Sequence, residues 1–415
     1  MKGIKASLWV NITFKLLNRI EVGRIDITDP NGLEHSFGNV GEQGSKPAVI
    51  MVSDWTMFRS IILRGDIAFG ETYMDGQWTT PDLNHLLWVI GQNRQPLTTA
   101  IRGFKFANVL NRLRHLLKKN TKSQARHNIE AHYDLGNDFY RLWLDDSMTY
   151  SSAIRQGNEE KATDSLQEAQ RFKIRRAISQ LGLLCEESTT LEIGCGWGEL
   201  SKIRLETRPG QHVGITLSKE QKDWTRKTIK EAGLIGRNTT LLQDYRDVSE
   251  QYDGIVSIEM IEAVGKAFWG TFFETLKNSL KPNGRAVIQA ITIDEKLAGK
   301  YQTGVDFIQK YIFPGGMLMS KSQLTARAAQ HKFNVLDTYE FGKDYAWTLQ
   351  EWLKRFQQNW GAIEALGFSA RFKRMWEFYL CYCRSGFMNG DIDVVQYTLA
   401  HSPIKAPNKI DESKH

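Results

Sequence analysis

The chain has 415 residues, 41% hydrophobic and 11% aromatic, which suits a globular protein with a real core and, at this length, two domains. No apolar run reaches the roughly 18 residues of a membrane span. The four cysteines are too few for a disulfide framework, and the nine histidines show no zinc-finger or H-E-x-x-H spacing, so no metal site is expected. A formal charge of +7 points to an anionic partner, either nucleic acid or an acidic membrane face.

The N-terminus, MKGIKASLWVNITFKLLNRIEVGR, is interrupted by Asn11, Lys15, Asn18 and Arg19, which makes a poor signal peptide. A cytoplasmic protein is expected. RIEVGRIDITDPNG and KPAVIMVSD read as short strands, and 58–91 as helices joined by Gly and Pro turns. Residues 1–105 are therefore expected to form a small mixed α+β domain. The stretch 101–128 carries many Lys and Arg and no Asp or Glu. Its apolar residues Ile101, Phe104, Val109, Leu110, Leu113, Leu116 and Leu117 recur at helical spacing. The spacing predicts a basic linker helix over 106–128. It either lies on an anionic bilayer or packs one face on the body and leaves the basic face solvated. No recognition-helix or RNA-binding signature accompanies it, so nucleic acid is not the expected partner.

Residues 129–405 make the third region. From Lys173 onward strands alternate with helices. The strands are predicted at Thr189–Gly194, His212–Leu217, Thr239–Gln243, Tyr252–Ile258, Arg285–Thr292 and Phe333–Tyr339, with helical stretches such as KEQKDWTRKTIKEAG between them. That pattern predicts an α/β fold with a parallel doubly wound sheet, whose ligand sits beyond the carboxyl ends of the strands. One such end carries LEIGCGWGEL, residues 191–200. The dinucleotide fingerprint fails there because its third glycine would fall on Glu199, and no G-K-[ST] follows to make a P-loop. Glu192 ahead of Gly194, Gly196 and Gly198 suits a cationic, ribose-bearing ligand without phosphate, such as S-adenosylmethionine (SAM). The bland alternative is a glycine turn needed only for packing. EMIEAVG, 259–265, lies at another strand end and would share the crevice. The tail 406–415 is polar and expected to fray.

Several motifs then occur in order: HYDLGNDFYRLWLDDSMTYSSA (132–153), LEIGCGWGEL, GITLSKEQ (214–221), LLQDYRD (241–247), VSIEMIEAVG (256–265) and YIFPGGML (311–318). Together they resemble the cyclopropane fatty acid synthase family of SAM-dependent enzymes. FGETYMDGQW (69–78) resembles the N-terminal domain of the full-length bacterial members. DYAWTLQEWLKRF (344–356) and RFKRMWEFYLCYCRSGF (371–387) resemble the family's C-terminal part. The resemblance implies a Rossmann-like class I methyltransferase domain with a mostly parallel seven-stranded sheet. Its last, antiparallel strand would come from 382–399, and helices of 293–330 would cover an acyl pocket. The N-terminal domain would dock to the membrane or hand the lipid over. In the family an alkene of a phospholipid acyl chain attacks the SAM methyl group, the resulting cation loses a proton to a bound bicarbonate, and a cyclopropane closes. For SAM the resemblance implies Tyr150, Ser151, Glu192, Gly194, Cys195, Gly196, Gly198, Thr216, Ser218, Gln221, Tyr245 and Arg246. Taken without the resemblance, Thr216 and Ser218 would read as an ordinary helix cap. For catalysis it implies Glu262 as the bicarbonate ligand, with Glu259 competing, Tyr345 on the same anion, and Cys383, which the mechanism does not need as a nucleophile. Tyr133, Phe139, Tyr140, Trp143, Tyr150, Phe307, Tyr311 and Phe313 are aromatic candidates for core, acyl channel or cation stabilisation.

Three departures cluster where bicarbonate should bind: Ser152 for cysteine, Ala263 for histidine and Gln289 for histidine. Glutamine still donates a hydrogen bond but carries neither proton nor charge, which weakens the case for bicarbonate. Two products stay open, a cyclopropane or a methyl- or methylene-branched (furan-precursor) chain. The second would need a partner redox enzyme. The expected partners are an anionic phospholipid surface at the inner membrane face and an unsaturated acyl phospholipid, with a homodimer as a further expectation. A small-amine N-methyltransferase and a SAM-binding protein without catalysis are the rival readings.

Overall fold

The computed structural model describes residues 8–39, 46–101, 135–155 and 164–401. The predicted linker helix 106–128, Tyr133 and the 406–415 tail lie outside the described residues.

In the N-terminal unit, β1 (Arg24–Thr28) buries Ile25 and Ile27 and half-exposes the residues between, as a period of two requires. Asp29 then caps a tight turn by accepting from Asn31 N at 2.8 Å and Leu33 N at 3.1 Å. The turn leads into β2 (Glu34–Gly38), antiparallel to β1. β3 (Ala48–Val52) lies parallel to β1, and the short β4 (Trp78–Thr79) closes the order β2-β1-β3-β4. The helices Thr56–Arg64, Asp66–Met74 and Leu83–Gln92 complete the expected α+β unit.

This unit shares a core with the rest of the chain. Phe58, Tyr73, Trp78 and Leu86 belong to the same cluster as Trp143, Trp352, Trp376 and Phe378. Two glycines permit the close approach. A Cβ on Gly70 would lie 2.5 Å from the Phe307 ring, and one on Gly91 1.9 Å from Asn389 Nδ2. Ser385 Oγ donates to Leu87 O at 2.9 Å, so helix Ala370–Met388 is the shared wall.

The second sheet follows the predicted strands closely: β5 (Thr189–Ile193), β6 (Gln211–Thr216), β7 (Asn238–Leu242), β8 (Tyr252–Ile258), β9 (Leu280–Ile293), β10 (Asn334–Glu340) and β11 (Ile392–Ala400). Their order is β10-β11-β9-β8-β5-β6-β7, with β11 antiparallel to both neighbours and the rest of the pairs parallel. The stretch 382–399 is only half strand. Residues up to Met388 finish the long helix, Gly390 turns the chain at φ 71°, and β11 starts at Ile392. Helices Glu295–Tyr301, Phe307–Tyr311 and Lys321–Gln330 occupy 293–330 as expected, each capped by a side chain, Asp294, Asp306 or Ser320. Among the described residues no helix is long and apolar enough to cross a membrane.

Candidate active site

The carboxyl ends of β5, β6 and β8 open on one cavity of about 1070 Å³, which extends past Phe313, Tyr379 and Cys383 to the N-terminal helices. Residues 192–200 all line it. Gly194, Gly196 and Gly198 all have positive φ, at 85°, 52° and 91°. Gly198 ends the loop in the left-handed conformation and starts helix Glu199–Thr207. A Cβ there would sit 2.7 Å from Thr225 Cγ2, while Thr225 Oγ1 holds Gly196 O at 3.1 Å. Gly194 N and Cys195 N both donate to Ile215 O at 3.0 Å, so these two amides brace the loop rather than reach into the cavity.

The other predicted cofactor residues divide. Tyr150, Ser151, Thr216, Gln221 and Tyr245 line the same cavity, and Tyr245 Oη is buried without a partner. Gln243, which sequence reasoning missed, lines it too. Glu192 lies at the wall, but its Oε2 accepts from Ser201 Oγ at 2.6 Å and meets His212 Nε2 at 3.2 Å. Ser218 is off the wall and caps helix Lys219–Glu231 by accepting from Gln221 N at 3.3 Å, the ordinary cap role. Arg246 is also absent from this cavity. Its guanidinium is held by Asp244, Nε to Oδ1 at 2.8 Å and Nη2 to Oδ2 at 2.6 Å, and it lies over the Tyr245 and Phe268 rings.

Three groups of the expected bicarbonate site converge on Glu259. Ser152 N donates to its Oε1 at 2.8 Å, Gln289 Nε2 to Oε1 at 2.6 Å, and Tyr345 Oη to Oε2 at 2.7 Å. Ser152 and Gln289 are fully buried behind this carboxylate and do not line the cavity. Glu259 has φ 49° at the end of β8, a left-handed conformation that costs a non-glycine residue about 1–3 kcal/mol. Three donors hold the side chain there against that strain. Burial pushes the Glu259 carboxyl up, while Lys173, Tyr345, Ser152 and Gln289 pull against it. Lys173 is itself buried, with Nζ on Ser151 Oγ at 2.6 Å, and burial lowers it to about 8 against the charges of Glu259, Asp145 and Glu192.

Glu262, the favoured bicarbonate ligand, does line the cavity, on the turn Ile261–Val264. Its Oε1 accepts from Ile291 N at 2.5 Å and its Oε2 is buried without a partner. Burial first, then the Glu259 charge, pushes its carboxyl up to about 8, which favours the neutral form near pH 7. A group whose proton is held more tightly in the folded state loses stability as pH rises between its unfolded and folded values. Glu262→Gln should therefore match wild type near pH 4.5 and gain relative stability up to about pH 8, read by denaturant titration across that range. Cys383 lines the cavity as a free thiol, and burial raises it well above the usual thiol range, which disfavours the thiolate. Ala263 lines the wall too and offers no polar group.

Strand order, a single antiparallel strand beside the last parallel one, and a glycine loop after β5 define a class I SAM-dependent methyltransferase. Residues 120–397 match the mycolic acid cyclopropane synthetase family, and the chain belongs to that family. It is 38% identical to the tuberculostearic acid methyltransferase UfaA1 of Mycobacterium tuberculosis, over 85% of this chain and 83% of that one. It is 35% identical to the cyclopropane-fatty-acyl-phospholipid synthase of Escherichia coli K12, over 87% and 90%. The mycolic acid cyclopropane synthase CmaA1, crystallised with SAH and CTAB, superposes with TM-score 0.61 at 32% identity, over 66% of this chain and 97% of that one. The protein is thus a SAM-dependent transferase, and the loop, Tyr150, Gln221 and the unpartnered Tyr245 hydroxyl fit that cofactor. Ser152, Gln289 and Tyr345 do not fit bicarbonate in the same way, because Glu259 already occupies the donors that the anion would use.

Proposed function

We propose that the protein methylates a cis double bond in an acyl chain of a membrane phospholipid, with Glu259 as the built-in base. The observation that carries this reading is the Glu259 carboxylate gripped by Ser152, Gln289 and Tyr345 at the edge of an acyl-sized, largely apolar cavity. SAM supplies the methyl group. The alkene π pair forms the new C–C bond as the methyl–sulfur bond breaks, leaving a positive charge on an acyl carbon. Tyr150, Phe313 and Tyr379 line the cavity, and each such ring face is worth about 0.5–2 kcal/mol to a cation. Glu259 then takes a proton from the new methyl group, and the released C–H pair closes a cyclopropane. That outcome agrees with the family description and with the Escherichia coli relative.

The branched product is the second reading, favoured by Gln289, Ala263 and the methyltransferase relative. If a hydride migrates to the cation before proton loss, the same proton transfer leaves a methylene branch, and a redox partner then completes the product. In this proposal residues 1–105 present the lipid, 106–128 meet anionic headgroups and 129–405 carry the chemistry, on a protein bound peripherally to the membrane. The test is NMR of the acyl products from purified protein, SAM and vesicles of cis-unsaturated anionic phospholipid. High-field ring protons support the synthase, vinylic or branched-methyl signals the second reading, and absence of any lipid product sinks both. Turnover should also stay within about twofold when bicarbonate is stripped from the buffer, since the base is a side chain. A large loss on stripping would refute the built-in base.

A further inference from the structure

Gln289 meets Glu259 as a donor, yet an amide turned over would present an acceptor there. A directional chain fixes which way it points. β11 pairs with β9 so that Gln396 lies directly across from Gln289, and both side chains are fully buried. Arg176, on helix Leu166–Gln180, donates from Nη1 to Gln396 Oε1 at 2.7 Å. Gln396 Nε2 donates to Gln289 Oε1 at 2.9 Å and to Lys173 O at 3.4 Å. Gln289 Nε2 is left facing Glu259 Oε1 at 2.6 Å and Ser152 O at 3.5 Å. A guanidinium can only donate, so the polarity of every amide down the chain follows from the arginine. Arg176 is itself pinned from the edge strand β10. Its Nη2 meets Asp337 Oδ2 at 2.6 Å, and its guanidinium lies 4.2 Å from the Tyr339 ring centroid.

We propose that Arg176 and Gln396 are positioning residues for the transfer reaction: they lock Gln289 as a hydrogen-bond donor to Glu259 and so keep that carboxylate available as base. The proposal rests on the reading of Glu259 as the base. The charged and titratable groups facing Glu259 are Lys173 from helix Leu166–Gln180, Tyr345 from helix Gly342–Gln358 and Glu262 from its own turn. Lys173 in turn faces Asp145 and Glu192. With all of these unchanged, an inverted Gln289 sets oxygen against oxygen beside a buried carboxylate. That favours the protonated form of Glu259, which is no base.

The test is kcat against pH on unsaturated phospholipid vesicles for wild type, Arg176→Met, Arg176→Lys, Gln396→Met and Glu259→Gln. Arg176 is close to the surface, with 14% of its side chain exposed, so its variants test the chain even if Gln396→Met fails to fold. The acid limb should move up by about one pH unit in Arg176→Met, a loss of about tenfold below the limb. The alkaline plateau and SAM affinity should stay within about twofold, and Arg176→Lys should recover part of the shift. A uniform loss at every pH, or a limb that does not move, overturns the proposal. If Glu259→Gln is inactive while Arg176→Met titrates like wild type, the relay alone has failed. If Glu259→Gln turns over normally, it is the base reading that has failed.

Discussion

Replacing Glu259 with glutamine should lower kcat by about 10²–10⁴-fold, the usual contribution of a positioned general base, while SAM binding measured by calorimetry is preserved. The amide nearly matches the carboxylate in size: its oxygen can still accept from Ser152 N and Gln289 Nε2, while its NH2 takes the place of Oε2 and donates to Tyr345 Oη, so the site should keep its shape. What it loses is the capacity to take a proton. Glu262→Gln should cost far less, because burial and the Glu259 charge push that carboxyl up to about 8 and favour its neutral form near pH 7. The pH profile gives an independent reading. Activity should fall on the acid side as Glu259 protonates, at a pH above the ordinary glutamate range, because burial raises this carboxyl. An equal loss in both variants, or a loss confined to Glu262→Gln, would return the catalytic role to the residue that the sequence favours.

The largest stability effect should come from Trp352→Ala, about 3–5 kcal/mol by denaturant unfolding. Trp352 is fully buried, and its ring lies 5.7 Å from Trp143, 5.4 Å from Tyr150 and 6.0 Å from Tyr345. Its removal opens a void beside two rings that border the chemistry, so turnover should fall with stability. Trp352→Phe should recover most of both. A Trp352→Ala protein as stable as wild type would mean the aromatic cluster is not a supporting wall.

Much of this was legible in the residues. β8 begins and ends where expected, since Tyr252–Ile258 is a short apolar run with a clear turn on each side. The glycine loop was expected at a strand end, and it does line the cavity there. Where the structure places side chains other than spacing suggests, the cause is direction. Spacing cannot show that Glu259 turns into the donor set through a left-handed φ, leaving Glu262 beside it and neutral. Nor can it show that Asp244, two residues away, draws the Arg246 guanidinium out of the site. Gln396 carries no local signal at all, because its importance comes from the antiparallel register that sets it opposite Gln289. The halves of 382–399 separate at Gly390, where a helix-period run gives way to a strand-period one within a few residues.

Helix Ala370–Met388 has consequences for anyone altering this enzyme. It carries Tyr379 and Cys383 into the cavity, and through Phe378 and Ser385 it also meets the N-terminal unit, whose Phe69, Leu87 and Gly91 line the same cavity. The N-terminal unit therefore supplies part of the chamber's wall directly. Directed evolution of chain-length or double-bond preference can be aimed at helices Asp66–Met74 and Leu83–Gln92, remote in sequence from every reacting group. Grafting a foreign N-terminal unit onto this catalytic part would reshape the chamber itself.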